Sequence, residues 1–182
     1  MREFYLSILT EAFKDNHSVQ FVIKQDDKKE AKLRFLMKYS HWKATHFGKL
    51  YLNEENSACA FVIDNSKKNF SITSIVWDLR LIFFCIGISN LFRVLKREKV
   101  LKTFHPSGKF YHLWYIGVKK NQQGKGLGSL LMKQLLEDCK GSPIYLETSM
   151  EQNFPFYERL GFEKVIDLKQ NHNILRMYKK ED

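Results

Sequence analysis

Gly124, Gly126 and Gly128 alternate at the end of a polar, basic stretch, Lys119-Lys120-Asn121-Gln122-Gln123-Gly124-Lys125-Gly126-Leu127-Gly128. A near-continuous apolar run, residues 110–118, feeds into this stretch, and an amphipathic run, residues 127–139, leaves it. A glycine-rich turn is therefore expected where a strand hands over to a helix. Glycines there leave no Cβ to block a close ligand and accept positive φ where the turn needs it. The first turn of the helix adds unpaired N–H groups and the positive end of its dipole. Together these form a cradle for an anion such as a phosphate or pyrophosphate.

The spacing excludes two nucleotide motifs. A P-loop needs G-x-x-x-x-G-K-[ST], but Gly124-Lys125 is followed by Gly126, and Lys119 stands where the first glycine belongs. A dinucleotide fingerprint needs G-x-G-x-x-G/A; the closing position is Ser129 counted from Gly124 and Leu131 counted from Gly126. The pattern that fits is V-x₄-Q-x-x-G-x-G, on Val118, Gln123, Gly126 and Gly128. It resembles the acyl-CoA pyrophosphate loop of the GNAT superfamily of N-acyltransferases. A second stretch, Asn153-Phe154-Pro155-Phe156-Tyr157-Glu158-Arg159-Leu160-Gly161-Phe162, follows a predicted strand at 143–148. It is similar to the family segment in which an Asn meets the pantetheine arm, a Tyr sits by the CoA sulfur, and a Gly-Phe pair ends the helix. The resemblance is specific over residues 109–180 and weak over residues 1–108.

The resemblance implies an α/β fold, a single domain over residues 1–182 with helices on both faces of a mixed, mostly antiparallel sheet. About six strands are expected, with a splayed central parallel pair. Residues 70–108 read as a helical insertion before the central strand. The implied acetyl-CoA contacts are Ile116, Gly117 and Val118 on the parting strand, then Gln123, Gly124, Lys125, Gly126, Leu127, Gly128 and Ser129 in the loop, with Asn153 and Tyr157 beyond. Ile116 and Val118 would act through their main chains. The implied reaction is direct attack of an amine on the acetyl thioester in a ternary complex, with no metal. The acceptor is expected to be a small-molecule primary amine. The alternatives are a protein or peptide amine, or a module that binds acyl-CoA without catalysis.

Two residues carry the expected proton chemistry. Tyr157 fits a general acid for the departing thiolate, since a phenol with a pKa of about 10 is protonated at neutral pH. It reads alternatively as a core tyrosine beside Phe154 and Phe156. Glu147 lies at the C-terminal end of a strand beside the cleft, where ligands of parallel sheets gather. It is a candidate base, or else the partner of a lysine or a backbone donor. His112 titrates in a suitable range but is expected to be structural. His41, His46 and His105 show no partner pattern, and no metal-ligand spacing appears.

Composition agrees with a folded enzyme. Apolar residues make up 44% of the 182 and aromatics 14%, which excludes a disordered chain. Net charge is +10, but the basic residues are dispersed over several segments and match no nucleic-acid module. Coenzyme A is a sufficient polyanion for Lys119, Lys120 and Lys125. Cys59, Cys85 and Cys139 are odd in number and far apart, so they read as free thiols of a reducing compartment. The most apolar run, residues 81–88, is eight long, against the roughly 20 that span a bilayer. The expectation is a cytoplasmic monomer or homodimer without membrane or nucleic-acid partners.

Other elements follow from periodicity. Helices are predicted at 2–14 and from Asp26-Asp27 to Phe47-Gly48, with a strand or helical turn at 19–23. A hairpin is predicted from strands 49–53 and 58–64 turning at Glu54-Glu55-Asn56, then a loop at 65–69. Two helices, 74–86 and 89–103, should meet at Gly87, and their Trp77, Phe83, Phe84, Phe92 and nearby Phe104 either pack on the core or line an acceptor pocket. A helix at 153–160 and strands at 162–168 and 173–180, turning at Gln170-Asn171, complete the chain. Strict alternation would put Phe110, His112, Trp114, Ile116 and Val118 on one face of the central strand, and Tyr111, Leu113, Tyr115 and Gly117 on the other.

Overall fold

The computed structural model describes residues 2–67, 71–170 and 173–181. The chain opens on α1 (Arg2–Phe13), which buries Tyr5, Leu6, Ile8 and Leu9. The short α2 (His17–Val22) begins where the Asn16 side chain accepts a hydrogen bond from the Val19 N–H, at 3.0 Å. In α3 (Lys29–Phe47), Leu33, Leu36, Met37 and Ala44 recur at helical spacing and face inward. The hairpin β1 (Gly48–Leu52) and β2 (Ala58–Asp64) turns through Asn56, whose φ is +52°. A helical hairpin follows: α4 (Ile72–Arg80), a π-helical turn (Leu81–Ile86) and α5 (Ile88–Lys102).

The second half alternates strand and helix. It comprises β3 (Tyr111–Val118), α6 (Leu127–Asp138), β4 (Ile144–Thr148), α7 (Phe154–Arg159), β5 (Glu163–Gln170) and β6 (Asn173–Lys180). The six strands form one sheet in the order β1-β2-β3-β4-β6-β5. Neighbours are antiparallel except β3 and β4, the parallel pair. The expected mixed α/β sheet is therefore present, with element bounds shifted by a few residues. Residues 65–67 form a 3₁₀ turn, whereas the rest of the loop predicted at 65–69, and Asn171 of the predicted last turn, lie outside the described residues.

Helices cover both faces. Cys59, Phe61 and Ile63 of β2 pack under α1 and α3, while Ala58, Ala60 and Val62 pack under α6. The central strand breaks the expected alternation. Its register against β2 steps from Phe61↔Tyr115 to Val62↔Leu113, so Trp114 is the extra residue of a β-bulge. The bulge reverses the parity of everything beyond it. Tyr111, Leu113, Ile116 and Val118 all join the α6 side, while Tyr115 packs under α1. The expected grouping of His112 with Ile116 and Val118 is thus corrected. Sequence pattern shows no bulge when both faces of a strand are apolar.

Gly117 shows how closely α1 sits on β3. A Cβ built there would stand 3.0 Å from Leu9 Cδ2 and 3.1 Å from Ala12 Cβ. Gly117→Val must therefore push α1 off the sheet, at a cost of about 1–3 kcal/mol. Chemical denaturation should show a lower midpoint with an unchanged slope; a midpoint equal to that of the parent would refute the tight contact.

Candidate active site

β3 and β4 pair only at Tyr111↔Ile144, His112↔Tyr145 and Leu113↔Leu146. The Trp114 bulge comes immediately after the last of these pairs, and bulges bend and twist the strand that carries them. From this fork β3 continues along β2, with Lys119 N–H donating to the Ser57 carbonyl at 2.8 Å, while β4 stays with β6. A cleft of about 1100 Å³ opens at the fork. It runs from the glycine loop, between the strand ends, to the helical hairpin.

At one end, Gly126 adopts φ +77° as the N-cap of α6, and its carbonyl receives the Leu130 N–H at 3.0 Å. A Cβ built at Gly124 or Gly126 would meet nothing within 4 Å. The loop therefore presents bare backbone to open space at the start of a 12-residue helix, which fits a pyrophosphate. The Gln123 side-chain amide donates to the Val118 carbonyl at 3.3 Å, closing the loop back onto the end of β3. Lys125 is exposed and hydrogen-bonds Gln122 Oε1 at 2.8 Å. Every loop residue expected to touch the cofactor lines the cleft except Lys125, and Ile116, Gly117 and Val118 line it from β3.

Asn153 and Tyr157 reach the same cleft from α7 and the turn before it. Asn153 makes no side-chain cap bond to the helix it precedes. The helix ends as the Gly161 N–H bonds the Glu158 carbonyl (3.0 Å) and the Phe162 N–H bonds the Tyr157 carbonyl (3.1 Å), a Schellman termination. Tyr157 is buried edge-on against Phe156 and Phe162, near Tyr178. Burial pushes its phenol up, and Tyr178 adds to the effect, so the hydroxyl keeps its proton at neutral pH. Tyr157 thus packs in the core and also borders the cleft.

Glu147 stands one residue past the fork on β4. Among the described residues its partners are histidines: His112 Nε2 lies 2.6 Å from its Oε2, and His105 Nε2 lies 3.7 Å from its Oε1. His105 comes from the segment after α5, stacked on Phe110 and edge-on to Tyr145. Burial alone would raise the Glu147 carboxyl, but the imidazoles of His112 and His105 beside it outweigh burial and hold it below the usual carboxylate range. His112 and Glu147 line the cleft, and His105 stands behind them. Sequence reading set His112 aside and found no partner for His105. The signal was present only in register, because His112↔Tyr145 places Glu147 two residues along on the same face as His112.

The hairpin supplies the far wall of the cleft. Ile82, Ile86, Leu91 and Val94 face Leu36 and Val19 across it. The aromatic acceptor pocket is corrected: Trp77 stacks on Trp42, Phe84 packs on Phe35, none of the five expected aromatics lines the cleft, and the hairpin wall combines aliphatic side chains with Asp78, Arg97, Glu98 and Lys102. Glu54 and Glu55 lie on the β1–β2 turn, away from the cleft.

The sequence matches the model of the acetyltransferase (GNAT) family over residues 3–162, and the chain belongs to that family. It is 43% identical over 54 residues to an uncharacterized N-acetyltransferase of Schizosaccharomyces pombe. It is 35% identical over 57 residues to the N-alpha-acetyltransferase RimI of Mycobacterium tuberculosis. These stretches span 29% and 30% of this chain, and only 22% and 36% of the two relatives. Among solved structures, one of histone acetyltransferase HPA2 and related acetyltransferase from Corynebacterium glutamicum superposes with a TM-score of 0.72 at 20% identity, over 98% of this chain and 90% of that one. Arylalkylamine N-acetyltransferase 2 from Aedes aegypti gives 0.66 at 13%, over 98% and 93%. At these identities the solved structures show a shared fold.

The histidine–carboxylate cluster has a stability signature. A carboxyl lowered in the folded state stabilises the fold above its unfolded pKa, near 4.5, and that contribution disappears as pH falls through the folded value. Glu147→Gln removes it at nearly constant shape. In thermal unfolding across about pH 3–6, the deficit of the variant should narrow toward the acid end and widen as pH rises. A deficit independent of pH would mean that the cluster contributes by packing alone.

Proposed function

We propose that the chain is an N-acetyltransferase that moves the acetyl group of acetyl-CoA to the primary amine of a small molecule with an apolar body. One observation carries this reading: a single cleft joins the bare glycine loop, the freed edge of β3, the His112–Glu147 pair and Tyr157. Acetyl-CoA is the acyl donor. The loop backbone and the start of α6 would hold its pyrophosphate, and the Trp114–Val118 edge of β3 would pair with the amide-rich arm, with Asn153 opposite.

The amine must be neutral to attack the thioester carbon. As the C–N bond forms and the C–S bond breaks, one proton leaves nitrogen and sulfur takes up negative charge. His112 is the group we assign to take the proton from nitrogen, because an imidazole titrates near neutrality. Glu147, held ionised at low pH, is a poor acceptor by itself. It orients His112 and favours its charged form. Tyr157 meets the departing sulfur with its proton in place. A backbone N–H on the freed edge of β3 suits the carbonyl oxygen as it gains charge. The aliphatic part of the hairpin wall, Ile82, Ile86, Leu91 and Val94, supports an acceptor whose amine is carried on hydrocarbon, and Asp78, Arg97, Glu98 and Lys102 line the same cleft beside it.

The first experiment is acetyl transfer to a panel of alkylamines, arylalkylamines, polyamines and N-terminal peptides. Turnover highest with apolar amines is expected; turnover confined to peptides would reverse the acceptor assignment, and CoA binding without transfer to any amine would favour a non-catalytic module. Tyr157→Phe keeps the ring and its packing but removes the hydroxyl. Single-turnover rates should fall about 10²-fold or more, with acetyl-CoA affinity and melting temperature little changed. Near-normal rates would leave Tyr157 with packing alone.

A further inference from the structure

The helical hairpin is inside out. Of twelve exposed large apolar side chains among the described residues, ten belong to it. On α4 they are Ile72, Ile75, Val76 and Leu79, spaced three, one and three apart, which makes one stripe down a single face. The opposite face carries polar groups: Ser74 is buried, and Asp78 accepts a hydrogen bond from the Tyr39 hydroxyl of α3 at 2.7 Å. An ordinary surface helix has the reverse arrangement. The stripe continues through Phe83 onto the first half of α5, where Ile88 and Phe92 are 61% and 76% exposed.

The charges around this face are of one sign. Every fully exposed ionic residue on the hairpin is basic: Arg80, Arg93, Lys96, Lys99 and Lys102. Its two acids are already paired, Asp78 with Lys43 at 3.1 Å and Glu98 with Arg97 at 3.0 Å. Along α5 the outward residues change from apolar to basic with distance from the Gly87 bend. No single helix among the described residues is long and apolar enough to cross a membrane, and α4 with its π turn meets α5 at a bend of 113°. The hairpin therefore has the geometry of an element that lies in an interface, with apolar side chains among acyl chains and lysines at headgroup level.

We propose that the outer face of this hairpin docks the protein on an anionic lipid surface. Charge selects this occupant. A second copy applied face to face would bring together two faces whose exposed charges are all basic, with no exposed acid to pair them. An anionic bilayer complements both the apolar stripe and the lysines. The expectation of no membrane partner rested on the length of an apolar run, which tests for spanning and not for lying on a surface.

The test is flotation of the full chain with vesicles of phosphatidylcholine alone and of phosphatidylcholine with about a third phosphatidylserine. The expected result is binding to the anionic vesicles that weakens with salt. Leu79→Ser combined with Phe92→Ser, and separately Lys96→Glu combined with Lys99→Glu, should each weaken it about tenfold or more. All four side chains are exposed and lie outside the cleft, so circular dichroism and acetyl transfer without lipid should match the parent. Failure to float with anionic vesicles overturns the proposal, as does flotation unchanged in both double variants. Self-association in lipid-free buffer that Leu79→Ser with Phe92→Ser abolishes, without flotation of the parent, would give the face to a second copy.

Discussion

The parting of β3 from β4 is the constraint on which the site depends. Two parallel strands that stayed paired would leave no room for a ligand and no unpaired backbone to bind one. Here the pairing stops at Leu113↔Leu146, and β3 carries its extra residue, Trp114, at the next position. The bulge bends β3 away with β2, while β6 keeps β4 straight through Thr148. It also reverses the faces, so that Ile116 and Val118 turn toward α6 and the glycine loop, while His112 stays on the face with Tyr145 and Glu147. One inserted residue thus sets both the opening and the side chains that border it.

Much of this was legible in the sequence, for physical reasons. Gly124, Gly126 and Gly161 answer to local backbone geometry, which leaves a local trace, while Asn153 and Tyr157 were legible only through the resemblance to a family segment. The amphipathic periods of α1 and α3 and the hairpin turn at Asn56 are equally local. The bulge was not legible, because Tyr111 to Val118 is apolar on both faces and alternation there carries no information. The His105–Glu147–His112 cluster was not legible either. Its members come from three segments, and only the register of β3 on β4 and the fold of the hairpin bring them together.

A buried carboxylate needs compensation, and this fold provides it from two directions. His112 reaches Glu147 from the neighbouring strand, and His105 from the segment that returns from α5 to β3. The second contact ties the chemistry to the hairpin. Leu101 in the last turn of α5 and Phe104 just beyond it pack in one cluster with Phe110, Tyr145 and Met177, so the position of His105 follows the seating of α5. Ser18 adds a further tie, donating its N–H to Ser149 Oγ just beyond β4 at 2.8 Å and receiving Arg97 of α5 at 3.2 Å.

The hairpin therefore faces three ways. Its inner residues Ile82, Ile86, Leu91 and Val94 wall one end of the cleft, the segment after it supplies His105, and its outer face presents apolar and basic side chains. These demands explain why α4 directs polar residues inward. Ser74 and Asp78 meet Tyr39 and Lys43 of α3, whose apolar face is already committed to α1 and the sheet, so the two helices join through hydrogen bonds and an ion pair. A helix seated in this way has its apolar stripe left over. In water that stripe is a liability unless something covers it, and the polar seating of α4 on α3 is what leaves it uncovered.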